Sequence, residues 1–351
     1  MLIALLVGGL GLLHPKPAAA GPFHGVVAQG QLTPADYFWM AAGGVGSLRV
    51  VIEWRYIERT RGEFNWAYLD MLASRAKQFG VRLLPTIEPP GPPGTSDPPT
   101  DRSSRKAFAR FLGKAVARYG HKGSFWRGGS DRYAVRSWQV MNEVNATNYW
   151  HGPPRPRGYA RILKPASKAI RKNDRRAKVM LAGMFFTPGG VGAIDSWDYL
   201  RQLYKQKTKG AFDTVAIHPY SQTLGGIRDG IERVRNVIRK RGDLGKRRKG
   251  GKRGKRNRGV TLRISEFGWG SAPQGRYNVG LQGQAQMLTD AFRLFERKRK
   301  PWRIEAVNWF SWQDSPTGAC QFCSSAGLFT FDRDPKPSWQ AFLEAAESVK
   351  R

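Results

Sequence analysis

Eight short apolar runs alternate along this chain with amphipathic helical stretches, and few folds accept that rhythm. The runs cover 25–28, 48–53, 81–87, 135–142, 178–184, 212–218, 260–266 and 304–312. Helical spacing marks 66–79, 103–119, 159–173, 195–207, 226–240, 280–298 and a last stretch opening at Pro337. In 103–119 the pattern is plain: Phe108, Phe111, Leu112, Ala115, Val116 and Tyr119 fall on one face. Strand–helix repeats favour a parallel sheet, because each helix returns the chain to the start of the next strand. Eight of them predict an α/β chain folded as a single (β/α)8 barrel. A doubly wound open sheet is the alternative. It usually carries a glycine-rich phosphate turn after its first strand, and "VVAQGQLTP" supplies none. No internal repeat, linker or second domain interrupts the 351 residues, and a 40% hydrophobic content is ample for one core.

A barrel of this kind keeps its chemistry at the carboxyl ends of its strands. The second run ends at Glu53-Trp54 and the third in "TIEPP", with Glu88. The fourth ends "WQVMNEVN", giving Asn142 and Glu143; the sixth ends "AIHPYS", giving His218 and Tyr220. The seventh is "LRISEFGWG", with Glu266, and the eighth "WFSWQDS", with Trp312 and Asp314. Strands four and seven of an eight-stranded ring face each other, so Glu143 and Glu266 should meet across the mouth. Two carboxyl groups on one cavity can split a glycosidic bond, one as proton donor and one as nucleophile or stabiliser. A separation of about 5–5.5 Å would mean a covalent intermediate and retained configuration. One tension stands in the pattern. Strict alternation puts Glu266 on the face of Leu262 and Ile264, which should look towards helices, so a twist or bulge is required there.

These segments resemble the clan A glycoside hydrolases, retaining (β/α)8 enzymes that include cellulase-like, mannanase-like and xylosidase-like families. "WQVMNEVN" and "LRISEFGWG" are similar to the clan's acid/base and nucleophile segments. The likeness extends to Arg49 in "SLRVVIEW", to "HPYS", to Trp312 and to "AGLFTFDRDPKPSWQAF". It implies that Glu143 is the acid/base and Glu266 the nucleophile. Asn142 would hydrogen-bond the sugar 2-hydroxyl, while Arg49 and Tyr220 would hold Glu266 ionised and oriented. His218 would contact sugar or the acid/base, and Trp312 would floor the cleaved sugar ring. Glu53 and Glu88 have no counterpart in the clan and read as salt-bridge residues, Glu88 alternatively as a substrate contact. Trp54, Trp150 and Trp269 read as sugar platforms or as packing.

The ends and the charge complete the expectations. "LIALLVGGLGLL" is too short to span a bilayer as a helix. With Ala18-Ala19-Ala20 behind it, residues 1–20 read as a signal peptide for secretion, although no Lys or Arg precedes the apolar run. Residues 21–351 would then form the (β/α)8 hydrolase domain that the resemblance implies. Cys320 and Cys323 make a C-x-x-C that suits redox chemistry, half a zinc site or a short disulfide. With no second pair, and no strand-then-helix setting, a loop-stapling disulfide apart from the chemistry is expected. No metal is expected, because no carboxylate or His sits at ligand spacing from His218, and no cofactor.

Lys and Arg number 59 against 26 Asp and Glu, a net +33. Twelve of the basic residues crowd into 239–259, where 242–258 reads as a solvated insertion. The excess attracts polyanions such as an anionic cell wall or acidic polysaccharide. No aromatic residue interleaves that run, so base stacking on nucleic acid is not suggested. The expectation is a secreted, monomeric β-glycosidase taking an oligo- or polysaccharide. The alternative is a non-catalytic barrel that binds polysaccharide or polyanion.

Overall fold

The computed structural model describes residues 23–89, 97–187, 192–244, 259–316, 320 and 322–348. The expected signal peptide and residues 245–258 of the expected insertion lie outside the described residues. Eight parallel strands form the wall of a closed barrel. They are β1 (His24–Val27), β2 (Ser47–Glu53), β3 (Arg82–Glu88), β4 (Ser137–Val140), a broken β5 (Lys178–Met180, then Met184–Phe185), β6 (Thr214–His218), β7 (Thr261–Phe267) and β8 (Ile304–Phe310). Each pairs with its neighbours in sequence, β1 closes on β8, and β5 pairs onward to β6 at Met180↔Thr214 and Met184↔Ile217. The expected (β/α)8 architecture is what the chain adopts.

The helices lie outside. Arg102–Tyr119 opens where Asp101 accepts from the Ser103 and Ser104 amides at 2.7 and 2.9 Å, and it buries Phe108, Phe111 and Leu112. Each such side chain contributes roughly 1.5–3 kcal/mol by leaving water. One helix of the outer layer, Pro34–Ala42, was not in the sequence reading. Its periodicity is blurred by the exposed Phe38 and Trp39 beside the buried Tyr37 and Met40. Its start is nevertheless written locally: Thr33 and Asp36 form a capping box, and Pro34 holds the first helical position.

The barrel interior is partly polar. Leu84, Met180 and Ala216 form one small apolar layer. Elsewhere Arg263 donates to Ser47 Oγ at 2.7 Å and to Asn308 Oδ1 at 3.0 Å. Gly25 makes room for this cluster, since a Cβ there would stand 2.3 Å from Ser47 Oγ. Hydrogen-bonded polar groups can be buried at this depth where bare ones could not.

Candidate active site

Irregular backbone delivers two carboxylates to the barrel mouth. On β7, Ile264 pairs with Val307 and Phe267 with Trp309, so three steps on one strand match two on its neighbour. That is the bulge which the alternation pattern required. It lets Leu262, Ile264 and Phe267 pack outwards, Phe267 against Phe292 and Phe295, while Glu266 turns into the barrel. At the end of β4, Met141 and Glu143 have φ of 67° and 38°, the left-handed region that side chains rarely enter. The Glu143 amide is tied to Gly183 O at 3.0 Å, and its carbonyl accepts from Ala146 N at 2.8 Å. Backbone strain held in place by its surroundings is a recurrent mark of functional sites.

Side chains from four strands then converge. Arg49 Nη1 donates to Glu266 Oε1 at 2.5 Å, and Tyr220 OH to Glu266 Oε2 at 2.8 Å. Both oxygens of Glu266 therefore meet donors. The other arms of Arg49 reach Asn142 Oδ1 at 2.8 Å and Gln139 Oε1 at 3.2 Å. This guanidinium is 1% exposed and fixed by three partners. An oxygen of Glu143 and one of Glu266 lie within 4.8 Å of each other.

His218 sits between the two acids. Its Nδ1 is 2.6 Å from Glu143 Oε1 and 3.4 Å from Glu266 Oε2. Burial pushes the imidazole down to about 3, so it is neutral. Its Nε2 is buried and has no hydrogen-bond partner. A buried N–H without an acceptor costs more than a buried lone pair, so the proton belongs on Nδ1. Nδ1–H then donates to Glu143 Oε1, leaving Oε2 to carry an acid proton. Burial raises the Glu143 carboxyl to about 8, against a smaller lowering by Arg49. One carboxyl group is thus neutral at pH 7 while its neighbour stands between two donors.

Arg49, Asn142, Glu143, Tyr220 and Glu266 border a cleft of about 920 Å³ that also takes in Glu88, Asn148, Tyr149, Phe185, Tyr277, Phe310 and Phe322. His218 is fully buried behind them and touches the acids rather than the cleft. The sequence pattern singled out Arg49, Asn142, Glu143, Tyr220 and Glu266, and all five line this cleft. The tryptophans are placed otherwise. Trp312 is 1% exposed, packed on Phe329 and Trp339, with its indole N–H given to Asp36 Oδ1 at 3.0 Å. It borders a neighbouring depression, and Phe310 takes the cleft wall. Trp269 donates to Ser221 O and packs on Trp309; Trp54 donates to Glu58 and stacks on Phe111. Trp150 is buried and lines a separate hollow. None of these three tryptophans lines the cleft, and the rings of Trp54 and Trp269 are engaged in packing. Glu53 pairs with Arg55 at 2.5 Å.

Cys320 and Cys323 form a disulfide, as expected. It does not stand apart from the site, however, since both cysteines line the cleft and flank Phe322, whose ring meets Tyr220 at 5.2 Å. The ground for setting a metal aside also changes. No ligand stands near His218 in sequence, yet folding gathers Glu143, His218 and Glu266 within 4.8 Å. Both oxygens of Glu266 are already taken by Arg49 and Tyr220, and the Arg49 charge beside them disfavours a cation. Tyr149 and Phe185 escaped the sequence reading because nothing in their local pattern separates a cleft aromatic from a core one.

No protein-family model matches this sequence, and no curated protein matches it. Solved structures do. A family 39 glycoside hydrolase from Bacteroides cellulosilyticus superposes with a TM-score of 0.69 at 20% identity, over 95% of this chain and 65% of that one. A monomeric β-xylosidase from Caulobacter crescentus gives 0.61 at 15%, over 92% and 67%. Xylanase 10B from Thermotoga maritima gives 0.62 at 16%, over 94% and 96%. This chain spans less than two thirds of the first of these proteins. At such identities the likeness is one of architecture, and it establishes that the chain has the (β/α)8 fold on which these glycoside hydrolases are built.

Proposed function

We propose that this protein is a retaining glycoside hydrolase that cleaves β-linked oligo- or polysaccharide by double displacement. One observation carries the reading: the carboxyl groups of Glu143 and of a doubly donated Glu266 have oxygens within 4.8 Å at the ends of opposing strands. Burial, which raises the Glu143 carboxyl, agrees with a proton on that one. That closeness suits direct attack rather than the ~6.5–9.5 Å gap that admits a water between the carboxyl groups. The structural neighbours named as glycosidases lend support at the level of fold.

In the first step Glu266 attacks the anomeric carbon. The glycosidic C–O bond breaks, and the proton on Glu143 passes to the leaving oxygen. In the second, Glu143 takes a proton from water, whose oxygen attacks the same carbon, and Glu266 departs with its electron pair. Arg49 and Tyr220 stabilise Glu266 as charge returns to it. Asn142, fixed by Arg49, presents its amide N–H towards a sugar hydroxyl. We propose secretion as well, supported by the apolar leader, the Ala18–Ala20 site and a disulfide that suits an oxidising compartment.

The test is kinetic and chemical. Glu143→Gln should lower turnover of unactivated β-glycosides by about 10²–10⁴-fold. Glu266→Gln should abolish it, with circular dichroism unchanged in both. A 2-deoxy-2-fluoro glycoside with a good leaving group should label Glu266. Near-normal hydrolysis by either variant sinks the assignment. Azide should rescue Glu266→Ala and give a product of inverted configuration.

A further inference from the structure

The wall formed by residues 28–32 and Ser315 belongs to two hollows. On one side is the catalytic cleft; on the other is a depression of about 470 Å³, lined also by the buried Trp312, by Gln313 and by Phe331. Phe331 is 55% exposed. The turn that carries it is pinned rather than loose. Thr330 N donates to Asp334 O at 2.8 Å, Gln313 Nε2 to Phe331 O at 2.5 Å, and Arg333 Nε to Asp36 Oδ1 at 3.4 Å. Trp39, 48% exposed, packs beside Phe329 at the base of the same turn. A single exposed phenylalanine is unremarkable by itself. Here it stands on a hydrogen-bonded turn, at the edge of a hollow that shares a wall with the catalytic cleft. Gln29 and Gln31 are exposed on that shared wall and offer amide donors and acceptors. An apolar ring face beside primary amides is the chemistry that meets a pyranose, with its C–H face and its rim of hydroxyls.

We propose that this depression is a remote subsite for the same glycan chain that enters the catalytic cleft. Phe331 is its stacking platform, and Gln29 and Gln31 bind hydroxyls. The proposal rests on the glycosidase reading and deepens it, because a subsite beyond the cleft wall serves an internal stretch of polymer and points to endo action.

Two measurements separate the proposal from that reading. The first needs no catalysis. In a Glu143→Gln background, the uncharged polymers arabinoxylan, β-mannan and hydroxyethyl cellulose are cast in native gels. At least one should retard the protein, and Phe331→Ala should weaken that retardation about three- to tenfold, with Phe331→Trp restoring it. The second is a ratio of kcat/KM on the retarding polymer to kcat/KM on an aryl glycoside. It should fall about fivefold in Phe331→Ala, through KM on the polymer. Retardation by no polymer, equal retardation of both variants, or a change of oligomeric state in Phe331→Ala on sedimentation overturns the subsite. Loss of the glycosidase reading appears instead as full activity in Glu143→Gln.

Discussion

Gly183 and His218 are fitted to each other: a Cβ at position 183 would stand 2.0 Å from His218 Nε2. The imidazole occupies the space that any other residue would fill, and its far nitrogen reaches both carboxyl groups. Gly183→Ala should push the ring off that seat and misplace the proton on Glu143. A displacement of about 1 Å can cost ~10²-fold, so kcat should fall roughly 10–100-fold with the far-ultraviolet spectrum unchanged. Activity within twofold of the parent would show that the ring needs no such fit.

The two buried titrating groups give activity and stability different pH signatures. Glu143 must be protonated to act as the acid, and burial holds it at about 8. The kcat/KM for an unactivated glycoside should therefore fall as pH rises through about 8, and Glu143→Gln should lose that limb on an activated aryl glycoside. For stability, the unfolded Glu143 releases its proton near 4.5, so its raised folded value makes stability fall from about pH 4.5 to 8. His218 is depressed from 6.5 to about 3, so its share is present above 6.5 and is lost as pH falls towards 3. Between 4.5 and 6.5 the two proton counts cancel. Glu143→Gln should gain melting temperature over the parent progressively from pH 4.5 to 8 and no further. A difference that stays flat with pH would refute the assignment.

Tyr220 is held as a permanent donor, because burial first and the neighbouring carboxylates next raise its phenol well above the usual range. Tyr220→Phe should lower kcat roughly tenfold while sparing KM. The same tyrosine is backed by Phe322 at 5.2 Å, and Phe322 stands between the two bonded cysteines. Reduction with dithiothreitol should thus lower kcat several-fold. It should move the melting temperature little, since so small a loop contributes less than the ~3 kcal/mol expected for fifteen residues. Thiol titration beside the assay checks this, and equal activity of the reduced and oxidised protein would contradict it.

The flanks of the basic segment lie at the amino-terminal face. Val260 N donates to Asp243 O at 2.8 Å, and Asp243 accepts from Tyr204 OH at 2.9 Å just before β7 begins. Arg303 donates to the carbonyls of both Leu244 and Gly259. Deleting 245–258 should leave turnover of a small neutral glycoside within about twofold. Retention on an anionic polymer should weaken at low salt, since the Debye length shrinks from ~10 Å at 0.1 M to ~3 Å at 1 M. A large loss of turnover would show that the segment reaches the catalytic face.

Much of the site was legible because barrel topology concentrates chemistry at strand ends. Asn142, Glu143, His218, Tyr220 and Glu266 are polar groups closing apolar runs; Glu53 closes one as well and forms an ion pair with Arg55, so it was the set facing one mouth, not any single strand end, that pointed to a site. Arg49 was singled out only through the likeness of "SLRVVIEW" to the clan. Aromatic residues were not legible in this way. Trp312 and Phe310 stand two apart on the same strand end, and their fates are set by Phe329 and Trp339, which arrive later in the chain. Trp54 and Trp269 went to packing for the same reason. The bulge was legible as a necessity on β7, but the pairing with β8 alone fixes where it falls.

The bulge also sets which pieces of this barrel can be exchanged. Between Ile264 and Phe267 the strand changes the face it shows, and the change is written jointly with Val307 and Trp309 of the adjoining strand. A chimera that swaps β7 without β8 would bring in a pairing frame that its new neighbour does not share. Glu266 would then point at the helices although every catalytic residue was present in the sequence. Removing Ser265 alone would do the same. The inheritable unit of this active site is therefore a pair of strands, and recombination should tolerate breaks in the loops around it far better than between its two members.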